Sequence, residues 1–302
     1  RDVLIEIQYC GVCHSDIHQV RDEWGGSIYP MVPGHEIVGR VEQLGEGVQG
    51  FSKGQRVGIP WLSHTCGHCP YCCSGRENLC DFPAFTGYTR DGGFATHAVA
   101  DAHYVFALDE RADAASLAPL MCAGLIGWRS LKMAGPARTI GLYGFGAAAH
   151  VIAQVCRWQG RTVYAFTRPG DDEAQRFARS LGAVWAGGSD QAAPESLDAA
   201  IIFASAGELV PAALAATAKG GVVVCAGIHM SDIPSFAYRL LWGERQLVSV
   251  ANLTRRDAAD FLAVARQAAL RTTTVQYPLA RVNEALDDLR GGRLQGAAVL
   301  RP

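Results

Sequence analysis

The sequence predicts an α/β-plus-β chain. A β-rich, barrel-like domain covers residues 1–123, a doubly wound parallel sheet covers 124–251, and residues 252–302 return to the first domain. Three observations carry this. Short strand-like runs broken by Gly and Pro fill the first part. From residue 124 onward, strands alternate with helices. An apolar strand, Thr139-Ile-Gly-Leu-Tyr, then enters a Gly-x-Gly-x-x-Ala turn that opens a helix. At 302 residues the chain is long for one core, so two domains are expected.

The elements follow in order. Residues 3–9 alternate as a strand, and 38–44, 55–59, 93–99 and 104–108 give further short strands. Residues 125–133 read as a helix that Pro136 ends. After the glycine turn a helix runs to Trp158. Strands at 161–167, 197–203, 221–226 and 247–251 then alternate with helices at 171–181 and 209–218. The tail carries helices at 257–270 and 282–290 and a last strand at 297–300.

Composition excludes several roles. A net charge of −2 and the lack of a basic stripe argue against a nucleic-acid partner. No apolar run approaches the roughly 20 residues that span a bilayer, so no membrane is expected. Ten cysteines are better explained as metal thiolates in a reducing compartment than as a disulfide scaffold, which gives a cytoplasmic expectation.

The cysteines also carry the chemistry. Cys66, Cys69, Cys72 and Cys80 lie within fifteen residues, and four thiolates complete a tetrahedral zinc site with no position left for substrate. That lobe reads as structural. A second set is scattered: Cys13 in Cys10-Gly-Val-Cys-His-Ser-Asp16, His35 in Gly34-His-Glu36, and Cys122 in Met121-Cys-Ala-Gly124. Two thiolates and an imidazole leave a fourth position open, as in catalytic zinc. Asp16 is typed either to hold the second ring nitrogen of His35 or to be an ordinary carboxylate at a helix start.

In the second domain Gly144, Gly146 and Ala147 form the turn and helix start at which a pyrophosphate meets free N–H groups. The second strand ends in Thr167-Arg168, where an acid usually binds the ribose of NAD. With no carboxylate there and Arg168 able to pair with a 2′-phosphate, NADP(H) is favoured over NAD(H). Alternatively Arg168 is solvated and Thr167 hydrogen-bonds the ribose of NAD.

Together, Gly11-Val-Cys-His-Ser-Asp, Pro33-Gly-His-Glu, the four-cysteine lobe, Met121-Cys-Ala-Gly and Gly144-Phe-Gly resemble the zinc-dependent alcohol dehydrogenases of the medium-chain dehydrogenase/reductase superfamily. The resemblance spans essentially the whole chain and is nearest the yeast and bacterial branch. It implies a GroES-like β-barrel catalytic domain, a Rossmann domain, two zinc ions per chain and a homodimer or homotetramer paired through the last Rossmann strand. It implies hydride transfer between a primary or aromatic alcohol, or its aldehyde, and NAD(P). By position, Cys13, His35 and Cys122 resemble the catalytic ligands and Glu36 the carboxylate behind the metal. Ser15 and His18 resemble the proton relay, His14 a cation near the pyrophosphate, and Trp24 and Trp61 walls of the substrate pocket. A polyol or formaldehyde dehydrogenase of the same superfamily is the alternative, although polyol enzymes usually carry a carboxylate where Cys122 stands. A non-catalytic zinc-binding module is the distant one.

Overall fold

A computed structural model describes residues 1–25 and 27–302. It divides into two compact units, Arg1–Leu125 with Asn252–Arg266 and Arg271–Pro302, and Ile126–Ala251 with Gln267–Leu270.

In chain order the first unit runs β1 (Asp2–Val12), α1 (His14–Val20), β2 (Glu36–Leu44), β3 (Arg56–Ile59), β4 (Leu62–His64), α2 (Pro70–Cys73), β5 (Ala84–Phe85), β6 (His97–Asp101), β7 (Phe106–Ala107) and α3 (Ala114–Leu117). Helix α4 (Ala123–Met133) carries the chain across the division. The second unit holds β8 (Thr139–Tyr143), α5 (Ala147–Trp158), β9 (Thr162–Thr167), α6 (Asp172–Ser180), β10 (Trp185–Gly188), β11 (Leu197–Ile202), α7 (Leu209–Ala216), β12 (Thr217–Cys225) and β13 (Gln246–Ser249). The tail adds α8 (Arg255–Gln267), β14 (Thr274–Pro278), α9 (Val282–Arg290) and β15 (Ala297–Arg301).

Strand β1 organises the first unit. It pairs antiparallel with β15, β2 and β6 within a seven-stranded sheet. Its alternation decides which face is core: Val3, Ile5 and Ile7 are buried with Ile37, Val41, Val57 and Ile59, while Glu6 between them is exposed. Burying each such aliphatic side chain contributes roughly 1.5–3 kcal/mol relative to leaving it in water. The strand expected over 93–99 begins only at His97, and that expected over 104–108 shrinks to β7, because Ala102–Tyr104 forms a 3₁₀ turn.

The second unit is a six-stranded parallel sheet in the order β10-β9-β8-β11-β12-β13. Counted from β8, that is the 3-2-1-4-5-6 order of dinucleotide-binding sheets, with a switch point between β8 and β11. Buried Val151, Ile152 and Val155 of α5 and Val210 and Leu214 of α7 belong to its core. Two crossovers depart from the strand-helix alternation: β12 reaches β13 through residues 226–245 with only a 3₁₀ turn at Tyr238–Leu240, and β10 reaches β11 through residues 189–196 without a helix. Aromatic rings cover the sheet there. Tyr143 stacks on Phe166 at 4.1 Å and 3°, and Phe166 packs on Trp185 at 5.1 Å. Strand β10 itself escaped the sequence reading because it is four residues long and ends in two glycines.

No single helix among the described residues is long and apolar enough to cross a membrane.

The cysteine lobe is tied to α8 by one ion pair. The Arg255 guanidinium donates to both Glu77 carboxylate oxygens, at 2.6 to 3.1 Å, and its backbone N–H donates to Oε1 at 2.7 Å. The guanidinium also lies 5.1 Å over the Tyr104 ring, whose hydroxyl is 2.7 Å from Thr65 Oγ1. Burial alone would raise the Glu77 pKa, but Arg255 outweighs it and holds the carboxyl below its usual range. A depressed carboxylate stabilises the fold above its unfolded pKa, and that contribution is lost as pH falls through the folded value. We expect Arg255→Met, which keeps the stem, to lower unfolding stability by about 1–2 kcal/mol at pH 7, discounted for the half-exposed guanidinium. The deficit should shrink toward pH ~4 in urea titrations. A deficit that does not change with pH would assign the loss to packing instead.

Candidate active site

The two ends of one antiparallel pair create the metal-donor set. Gly11 of β1 pairs with Glu36 of β2, so the residue after β1 and the residue before β2 are brought together. Those residues are Cys13, which N-caps α1, and His35. Cys122 follows a 3₁₀ turn over Ala118–Met121, and Met121 in that turn is fully buried, which fixes the turn in the core. Gly11 has a structural reason to lack a side chain: a Cβ there would overlap Glu36 Oε2.

One ligand atom each from Cys13, His35, Glu36 and Cys122 lies within 4.8 Å of all the others. The Cys13 and Cys122 sulfurs are 3.8 Å apart. A tetrahedral zinc with bonds to sulfur of about 2.3 Å sets two thiolates roughly 3.8 Å apart, so the donors present fit that metal in type and spacing.

Asp16 both holds the start of α1 and contacts the His35 ring. Its Oδ2 accepts the Cys13 backbone N–H at 2.8 Å, holding the helix start. Its Oδ1 lies 3.1 Å from His35 Nδ1 and accepts the Gly34 N–H at 3.2 Å. That contact leaves His35 Nε2 as the ring nitrogen able to bind a metal. Burial opposes a charged His35, but Asp16 and then Cys13 outweigh it and raise the His35 pKa well above the ordinary range. The sulfurs divide in opposite directions. The hydrogen bond with Cys122 is the main force holding Cys13 well below the usual thiol range, and the same contact, with burial, pushes Cys122 well above it. Burial, followed by the Cys13 charge, drives Glu36 well above the carboxylate range.

The lobe residues Cys66, Cys69, Cys72 and Cys80 also converge, each giving an atom within 4.8 Å of the rest. Cys66 and Cys72 are 4.0 Å apart. Backbone N–H groups already point at the sulfurs: Cys66 N and Phe82 N donate to Cys80, and Cys69 N to Cys66, each at 3.3 Å. The Cys69 pKa is lowered to about 6, chiefly by backbone donation from Cys72 and Asp81. Such bonds favour thiolate, the form that binds metal.

Along α1, Ser15 is buried with its hydroxyl 3.6 Å from Cys13 Sγ. His18, one turn later, is half-buried, and His14 is exposed. A residue missed in the sequence meets His18: Glu23 Oε2 lies 2.5 Å from His18 Nδ1, and Arg21 donates to Glu23 Oε1 at 3.1 Å. The helix end explains this. Asp22 adopts φ +53°, its N–H donates to the Gln19 carbonyl, and the Glu23 N–H donates to the His18 carbonyl, each at 2.9 Å. These two bonds make a Schellman motif, which sets the second residue past the cap against the third-last helical residue. Here that contact is Glu23 on His18. The run Arg21-Asp22-Glu23 soon after His18 was the available signal.

Trp61 lies 4.9 Å from His35, near right angles, and Trp24 meets Trp61 at 5.9 Å. Phe85 and Tyr88, also missed, stack on Trp61.

In the second unit Gly144 ends β8 with φ +85°, and a Cβ there would lie 2.8 Å from the Ala204 N, past β11. Gly146 N-caps α5, and a Cβ there would meet nothing within 4 Å. Open space before the uncapped N–H groups at Ala147 fits a pyrophosphate. The Thr167 hydroxyl turns inward: its single proton lies within reach of the carbonyls of Arg168 (3.1 Å) and Gly187 (3.3 Å), and its oxygen accepts from Gln175 Nε2. The Arg168 side chain is exposed and makes no hydrogen bond or ion pair among the described residues.

Comparison with known proteins agrees with this geometry. Residues 1–110 match the alcohol dehydrogenase GroES-like domain. The chain is 43% identical over 307 residues to the probable alcohol dehydrogenase AdhA of Mycobacterium tuberculosis, an alignment covering 99% of this chain and 88% of that protein. It superposes on the cinnamyl alcohol dehydrogenase SbCAD4 of Sorghum bicolor with a TM-score of 0.91 at 28% identity, covering 99% of this chain and 90% of that one. The Helicobacter pylori enzyme CAD, solved with NADP(H), gives a TM-score of 0.90 at 26% identity, covering 100% and 90%. The chain belongs to the zinc-type medium-chain alcohol dehydrogenase family.

Proposed function

We propose that this chain is a zinc-dependent, NAD(P)-linked alcohol dehydrogenase, or aldehyde reductase, acting on primary or aromatic alcohols and their aldehydes with NADP(H) preferred. The carrying observation is the three-donor set of Cys13, His35 and Cys122, with a buried Ser15 hydroxyl on one side and an aromatic wall on another. Zinc held there supplies a Lewis acid that acidifies an alcohol or polarises a carbonyl, and NAD(P) supplies the hydride acceptor or donor. Asp16 fixes the tautomer and orientation of His35.

Proton movement falls to α1. Ser15 and His18 are three apart and share a helix face. Ser15 Oγ takes the substrate proton and passes it to His18, and the imidazole releases it toward solvent. Glu23 orients that imidazole through Nδ1. The His18 hydrogen bond, aided by Arg21, holds the Glu23 carboxyl below its usual range, so Glu23 is an anion at neutral pH. His14, exposed at the helix start, is assigned to the cofactor side, and Glu36 to the space behind the metal.

Two observations support NADP(H). The Thr167 hydroxyl is committed within the fold and is not aimed at a ribose. Arg168 beside it is exposed, with its guanidinium available for a phosphate. We further propose a cytoplasmic homodimer or homotetramer. All ten cysteines are free thiols. Strand β13 ends its sheet, and exposed Tyr238 and Trp242 precede it in the chain, as suits pairing of two copies edge to edge.

The reading is tested by benzaldehyde reduction with zinc-replete protein. A kcat/KM for NADPH well above that for NADH is expected, and no turnover with either cofactor would defeat the assignment. Arg168→Ala should raise KM for NADPH about tenfold and leave NADH unchanged; parallel losses with both cofactors would remove Arg168 from the phosphate. Cys13→Ser or His35→Ala should lower turnover at least about a thousandfold, while elemental analysis still finds the lobe's zinc. Near-normal turnover in either variant would exclude these residues as ligands.

A further inference from the structure

Trp61 is held from several sides. Phe85 and Tyr88 lie nearly parallel to its indole, at 5.1 Å and 23° and at 5.8 Å and 18°. The two are 6.4 Å from each other. Phe85 and Tyr88 thus pack against each other as well as against the indole. His35 and Trp24 meet the indole at 79° and 90°.

Tyr88 reaches further than Phe85 does along this wall. Its ring meets Trp24 at 5.4 Å and 80°, and its hydroxyl donates to the carbonyl of Gly25, the residue after Trp24. Backbone bonds fix the turn that carries it. Thr89 and Arg90 N–H groups both donate to the Phe85 carbonyl, at 3.0 and 3.1 Å. Thr86 donates through its N–H to the Trp61 carbonyl and through its hydroxyl to that of Pro60, both at 2.8 Å. The ring that braces the indole is therefore anchored to the indole's own backbone.

We propose that Tyr88 is a positioning residue for substrate choice. By fixing Trp61 and Trp24 it keeps the space beside Cys13, His35 and Cys122 shaped for flat or unbranched substrates and closed to thicker, puckered ones. Swinging the indole away would break these aromatic pairs, each favourable beyond the area it buries. The inference rests on the alcohol dehydrogenase reading and adds the residue that sets its pocket.

The test compares kcat/KM for benzyl alcohol and cyclohexylmethanol, which share a reacting CH₂OH and a ring of six carbons but differ in thickness. The full-length, zinc-loaded protein is used throughout. Wild type should prefer benzyl alcohol. Tyr88→Leu should reduce that preference about fivefold, with the loss in KM for benzyl alcohol and kcat within about twofold. Tyr88→Phe, which keeps the ring, should stay within about twofold of the wild-type ratio. An unchanged ratio in Tyr88→Leu, even with a lower Tm, reduces the residue to ordinary packing and overturns the proposal. An equal loss in Tyr88→Phe overturns the ring argument in favour of the bond to Gly25. If Tyr88→Leu does not fold, Tyr88→Met carries the same test with similar bulk and no ring. Wild type that turns over neither alcohol with either cofactor overturns the functional reading itself, whereas turnover with an unmoved ratio removes Tyr88 alone.

Discussion

The catalytic half of this molecule depends on the carboxylate of Asp16. It has no solvent exposure, and a buried charge is tolerated only where partners replace its water. Three do: the N–H of Cys13, the N–H of Gly34 and the ring nitrogen of His35. Those groups come from two segments that would otherwise be separate, the start of α1 and the turn entering β2. One side chain thus joins the helix bearing Ser15 and His18 to His35 and the strand that starts at Glu36. Removing it would leave two buried N–H donors and an unoriented imidazole, each costing about 1–3 kcal/mol. Its helix-capping and ring-orienting roles are one set of bonds viewed from two ends.

The sheet does the rest of the alignment. The pairing of Gly11 with Glu36 decides where β1 releases the chain and where β2 collects it, and that register is pinned by the buried Val3, Ile5 and Ile7. Shifting the pairing by one residue would turn those side chains to water and separate Cys13 from His35. The placement of these two donors is therefore an outcome of core packing. The third thiol, Cys122, is placed by different means, through the burial of its neighbour Met121.

Much of this was legible in the sequence where chemistry requires closely spaced residues. The four-cysteine lobe, the glycine turn after β8 and the Cys13, His35 and Cys122 set all announce themselves by residue type and context. Three other features did not. Glu23 reaches His18 only because Asp22 takes a left-handed conformation, which no periodicity reveals. Phe85 and Tyr88 meet Trp61 through tertiary packing between segments that carry no repeating pattern. The crossover between β10 and β11 has no helix, and the Tyr143, Phe166 and Trp185 rings that stack on those strands show in the sequence only as ordinary strand residues. Thr167 was readable as the absence of an acid, but the direction of its hydroxyl was not, since Gly187 and Gln175 come from other elements.

The end of α1 explains why a strained residue stands so near the site. An L-residue in the left-handed region costs roughly 1–2 kcal/mol, and glycine is the usual occupant of this cap position. Asp22 occupies it at φ +53°, with partial compensation because its Oδ1 accepts the Ser27 N–H at 3.3 Å. A glycine would serve the cap as well but would give up that bond to the following loop, which carries Trp24 and Gly25 on its way to Tyr88. The cap therefore serves two directions at once. Back along the helix it delivers Glu23 to His18, the last group of the proposed relay. Forward, it fixes the departure of the loop whose indole completes the aromatic wall. The proposed proton exit and substrate wall share one turn of backbone, so a change that loosens that turn acts on both together.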